Sequence, residues 1–143
     1  MAREFALQAL YQWKVRGGET ADILRQFSEL KRYSQIDDHY FADAVRGAIG
    51  QRDALEAQFS PYLDRVAAEL SPVEYAILLL ASYELIHRLD VPYRVVMNEA
   101  IDLAKRYGGT DGHKFVNGVL DKLAAQVRAE EIAYARKQRR NPQ

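Results

Sequence analysis

Apolar and polar positions alternate with a helical period along most of the chain. Phe5, Ala6, Ala9, Leu10 and Trp13 fall on one face of a first helix over 2–16, which Gly17-Gly18 ends. The pattern predicts a second helix over 19–31, with Thr20 as its cap and Ile23, Leu24, Phe27 and Leu30 facing inward. A longer third helix, capped by Asp37 or Asp38, carries Tyr40, Phe41, Ala44, Val45, Ala48, Ile49, Leu55 and Phe59. Gly47 and Gly50 inside it predict close packing or a bend. Ser60-Pro61 interrupts the pattern, and a short helical turn is expected over 63–70.

Ser71-Pro72-Val73-Glu74 opens the next helix with two signals. Ser71 and Glu74 have capping-box spacing, and Pro72 falls at the first helical position, where its missing N–H costs nothing. From Tyr75 to Ile86 the helix is apolar on most faces, which predicts the buried centre of the second half; Glu84 is its one interior charge. Pro92 starts a helix with Val96, Ala100, Leu103, Ala104 and Tyr107 inward. After a corner at 108–111, another helix carries Val116, Val119, Leu120, Leu123 and Val127. Gly108 and Gly109 are suited to a left-handed helix end, and Thr110 or Asp111 to an N-cap. The fold class is therefore all-α, with about seven helices. Beyond Arg128 the period fades into a basic tail, 129–143, expected to be frayed or disordered.

Composition narrows the function. The 143 residues are 48% hydrophobic, enough for one domain or two small subdomains sharing a core. With 20 basic and 20 acidic side chains the chain has no global field for nucleic acid, so an RNA site must come from local charge separation. The absence of cysteine excludes disulfides and thiolate metal sites. No apolar run approaches the ~20 residues of a membrane span, so a soluble, cytoplasmic protein is expected.

The search for chemistry finds no catalytic set. GGTDGHK lacks the Gly before Lys, the preceding strand and the following Ser/Thr of a P-loop. His39, His87 and His113 lie on different predicted elements, without the i, i+4 pairing of a helical zinc site. No catalytic residue, metal or cofactor is expected. Two places fit single-stranded nucleic acid instead. On the first helix, Arg3, Leu7, Tyr11 and Lys14 fall within an arc of roughly 80°, mixing cations for phosphates with a ring for base stacking. At the corner, a helix N-terminus stands beside His113, Lys114 and Phe115. The bland alternatives are a solvated helix face and a plain helix-loop-helix.

The residues also carry a resemblance. NEAIDLAKRYGGTDGHKFVNGVLDKL, from Asn98 to Leu123, resembles the signature of the NusB family of bacterial transcription antitermination factors. AREFALQALYQW resembles that family's first helix, and SPVEYAILLLASYEL with VPYRVVMNEAI its central helices. The resemblance covers Ala2 to Arg128 and implies two small helical bundles packed together, with subdomains of about 1–70 and 71–128. It implies a partner, the small-subunit ribosomal protein NusE, and binding of the pair to boxA RNA of nascent ribosomal transcripts. That binding helps to load the antitermination complex on RNA polymerase. Carried over by position, the RNA-contacting residues are Arg3, Tyr11, Tyr62, Asp111, Lys114 and Phe115, and Glu74 is a NusE contact. A homodimer that hides this surface is also compatible with the family. Two departures stand out. The arginine cluster that usually precedes the first helix is not matched by Met1-Ala2-Arg3, and the basic tail is longer, either adding RNA contacts or simply solvated. The competing reading is a helical protein-interaction adaptor without direct RNA binding.

Overall fold

The computed structural model describes residues 1–140 and contains eight α-helices and no strand among them. They are α1 (Ala2–Arg16), α2 (Thr20–Ser28), α3 (Asp38–Gly50), α4 (Arg52–Phe59), α5 (Pro72–His87), α6 (Tyr93–Tyr107), α7 (Gly112–Val127) and α8 (Ala129–Arg140). Short 3₁₀ turns cover Lys31–Gln35, Ser60–Tyr62 and Ala67–Glu69. No described helix is long and apolar enough to cross a membrane.

The capping box at α5 forms as its sequence dictates. The Ser71 hydroxyl accepts the Glu74 N–H at 3.1 Å, and Glu74 Oε1 accepts the Ser71 N–H at 3.4 Å. With its start fixed, α5 buries every residue from Tyr75 to Leu85. Helices α1, α3, α4, α6 and α7 all pack on it. The helices therefore share one apolar core: Phe5 stands edge to face against both Phe27 and Phe41, and Leu103, Leu120 and Leu123 fill the part formed by the second half of the chain.

Several expectations are corrected. The second helix stops at Ser28, leaving Leu30 exposed at the start of a 3₁₀ turn. The long third helix is two, broken at Gln51, which caps both ends of the break; the glycine-marked bend is thus a full interruption. Of the corner glycines only Gly109 has positive φ (77°), while Gly108 stays at −94°. The tail is helical over 129–140 and not disordered there, because Ile132 packs against the core and Glu131 is tied to the body; residues 141–143 lie outside the described residues.

Gly47 is where the close packing falls. A Cβ there would overlap the Tyr83 ring, which is nearly buried and held by its hydroxyl donating to Asp43 at 2.9 Å. Gly47→Ala should therefore lower the unfolding free energy by about 1–3 kcal/mol in a urea titration. Wild-type stability in that variant would contradict this packing.

Candidate nucleic-acid interface

Because α1 and α6 both lie on α5, a groove runs between them with α5 as its floor. At one end it is closed over by ion pairs: Arg106 reaches Glu4 at 2.6 Å, and Arg3 approaches Glu99 at 4.0 Å. Beneath these, Arg3 turns its guanidinium inward. Its Nε donates to both oxygens of Glu84 at 3.0 and 3.1 Å, and Tyr40 donates to the same carboxylate. Glu84 is 2% exposed, so this is the partner its apolar helix requires. Burial pushes the Glu84 carboxyl above its ordinary value, and the adjacent Arg3 opposes the shift.

The other end is open and aromatic. Leu7, Gln8 and Tyr11 of α1, Val73 of α5 and Tyr107 of α6 surround a cavity of about 220 Å³. Tyr11 and Tyr107 are each 42% exposed, and Leu7 is buried beneath them. One turn further along α1, Lys14 Nζ sits 4.0 Å from the Tyr75 ring centroid. The Tyr75 hydroxyl donates to Glu56 at 2.7 Å, and burial raises its pKa.

Next to this opening stands the start of α7. Glu74 faces it: a Cβ on Gly112 would lie 3.9 Å from Glu74 Oε2. The capping box uses Oε1, which leaves Oε2 available to a partner. Asp111 occupies the N-cap position but makes no side-chain cap, contrary to the expected capping role. Its backbone (φ −119°, ψ 17°) departs from the extended conformation that aims a capping side chain, and the carboxylate instead meets Lys114 Nζ at 3.6 Å. Both side chains are well exposed. Phe115 is half-buried at the core's edge, with the Arg65 guanidinium 4.8 Å above its ring. Tyr62, in the 3₁₀ turn packed on α7, is half-buried as well.

The candidate residues thus fall into two groups. Tyr11 joins Tyr107 at the end of α6, a few residues before the corner that carries Asp111, Lys114 and Phe115, with Glu74 and Tyr62 bordering α7. Arg3 stands apart, roughly 12 Å of helix from Tyr11, and its charge is already engaged by Glu84. Sequence reasoning missed two members. Tyr107 reads as one more apolar position, and Arg65 lies in a loop without pattern; only its place over Phe115 reveals it.

The NusB family model matches residues 1–125. A transcription antitermination protein NusB from Nitrosomonas eutropha is 54% identical over 132 residues, covering 92% of this chain and 79% of that one. One from Aromatoleum aromaticum is 53% identical over 135 residues, covering 94% and 93%. Among solved structures, T. maritima NusB superposes with a TM-score of 0.82 at 31% identity, covering 92% of this chain and 94% of that one. A chain from a structure of antitermination factors NusB and NusE in complex with dsRNA gives 0.76 at 27% identity, covering 86% and 92%.

Two outcomes follow for the engaged end of the groove. Arg3→Ala should cost about 3 kcal/mol in chemical denaturation, since it leaves the Glu84 charge buried without its main partner. A variant of native stability would return Arg3 to the free cations. The raised Glu84 carboxyl means that the folded state holds this proton more tightly than the unfolded chain. Its contribution is fully present below the unfolded value of 4.5 and is lost as pH rises through the folded value. Glu84→Gln should flatten that stretch of the stability–pH curve, and an unchanged curve would contradict the assignment.

Proposed function

The chain belongs to the NusB family, and on that premise we propose that it is a cytoplasmic transcription antitermination factor. It binds boxA RNA of nascent ribosomal transcripts together with NusE and helps to load the antitermination complex on RNA polymerase. Its work is binding, without turnover of a substrate. The observation that carries this reading is the open aromatic end of the α1–α6 groove beside the start of α7. It lies in a chain whose solved relatives include a NusB–NusE–RNA assembly.

Each residue has a role on this reading. Tyr11 supplies a stacking surface, and Phe115 a second one after Arg65 shifts from its ring or stacks with the incoming base. Lys114 meets phosphate once it leaves Asp111, and Tyr62 borders the same face. Asp111 restrains binding, because a carboxylate beside phosphates repels them. Arg3 acts chiefly by fixing α1 on α5. Glu74, its Oε2 turned outward, accepts a donor from NusE. Arg65 and Lys114 on this face each already hold a carboxylate, and a second protein completes the RNA site.

Fluorescence anisotropy with labelled boxA RNA tests the reading. The chain mixed with NusE should bind more tightly than either protein alone and should prefer boxA to a scrambled RNA. Phe115→Ala should weaken that binding by about 1–3 kcal/mol. If NusE binds and RNA affinity does not rise, the chain is an adaptor without direct RNA contact.

A further inference from the structure

Helix α8 lies wholly beyond the residues that the family model matches, and the interface above makes no use of it. Its root is built into the body. Arg128, 4% exposed, donates from Nε to the Leu85 carbonyl at 2.7 Å and from Nη2 to the Glu84 and Arg88 carbonyls at 3.2 and 3.0 Å. It thereby satisfies carbonyls that end α5. Its Nη1 pairs with Glu131 at 2.5 Å, whose other oxygen accepts the Tyr93 N–H at 2.8 Å where α6 begins. A cation thus sits at one helix C-terminus and an anion at the next N-terminus, the signs that both dipoles favour.

The outer end of α8 is different in kind. Arg136, Lys137, Arg139 and Arg140 are all exposed, and none is paired with a carboxylate among the described residues. Eight of the chain's 20 cations have an acidic partner within 4.0 Å, and among the unpaired ones of the described residues only those of α8 gather four within five residues. In a chain of zero formal charge, this is a cluster of cations left without compensation. Helical spacing puts Arg136, Arg139 and Arg140 on one side at i, i+3 and i+4, where like charges repel unless a polyanion intervenes. The neighbouring surface offers a protein partner little, since Tyr134 is the one large exposed apolar side chain on α8.

The mount also sets where this end starts from. Arg128 holds the Glu84 carbonyl, and Arg3 holds the Glu84 carboxylate, so α8 springs from the end of α5 at which α1 begins. From there α1 runs to Tyr11. We propose that the outer end of α8 is a second, sequence-independent contact that takes backbone phosphates of the bound RNA outside the segment stacked near Tyr11 and Phe115. This rests on the RNA-binding reading above. Phosphate contacts of this kind position a strand without reading its bases.

The test compares two single-stranded RNAs with the full chain and NusE. One holds the boxA element alone, and the other extends it by about ten arbitrary nucleotides on each side, long enough for further phosphate contacts. The variant is Arg136→Ala, Lys137→Ala, Arg139→Ala and Arg140→Ala together, which keeps helix propensity high. The extended RNA should lose about tenfold or more in affinity at low salt, and its log–log salt slope should fall by up to about 3, given roughly 0.7 per phosphate contact on a single strand. The short RNA should bind as before. Unchanged affinity and slope on the extended RNA would overturn the inference, as would an equal loss on both RNAs. A loss of NusE binding with RNA affinity intact would assign this end to a protein interface instead. If the wild-type chain with NusE binds neither RNA, the underlying RNA reading fails, an outcome distinct from failure of the α8 contact alone.

Discussion

The burial of α5 on every side is the constraint on which the rest of the molecule depends. No residue from Tyr75 to Leu85 is left to solvent, so each neighbouring helix must lie against it. That requirement puts α1 and α6 side by side although most of the chain separates them. It brings Tyr11 and Tyr107 to the rim of one cavity. It also fixes the direction of the groove: the capping box sets one end beside α7, and Glu84 sets the other beneath Arg3. The proposed interface is thus a by-product of how a helix with no polar face is covered.

Charge is used sparingly on this frame. Arg3 and Arg128 reach the same turn of α5 from opposite ends of the sequence, one at a carboxylate and the other at backbone carbonyls. Arg88 bridges Asp43 and Asp90 nearby, and these carboxylates push its pKa up. Such arginines hold helices together and are not available to phosphate. What remains at the open end is mainly rings, several with a cation already above them, as in Arg106 over Tyr107 and Arg65 over Phe115. A surface of this kind favours stacking over long-range attraction, in keeping with a factor proposed to bind RNA jointly with another protein.

Local signals were legible in the sequence, and long-range ones were not. The Ser71–Glu74 box and the Asp37 cap use residues three apart and form as read. The period of α6 and α7 predicts most of their buried faces for the same reason, but Tyr107, expected inward, is exposed at the end of α6. Glu84 was visible as an odd charge in an apolar helix, but its partner Arg3 is 81 residues away and nothing local names it. Leu7 belongs to the basic stripe by spacing, whereas the structure buries it. Helix α8 has too few apolar positions to show a period, and its root is held by Arg128 and Glu131, bonded to distant backbone, together with Ile132 against the core. The family resemblance rested on the most local feature of all, the unbroken run from Asn98 to Leu123.

The most direct test of the central claim is the NMR signal map of the full chain with NusE, recorded before and after adding boxA RNA. The account predicts that RNA shifts the resonances of Tyr11, Tyr107, Lys114 and Phe115 together, while that of His39 on α3 stays in place. Shifts confined to other surfaces, or none at the Tyr11–Tyr107 opening, would contradict it.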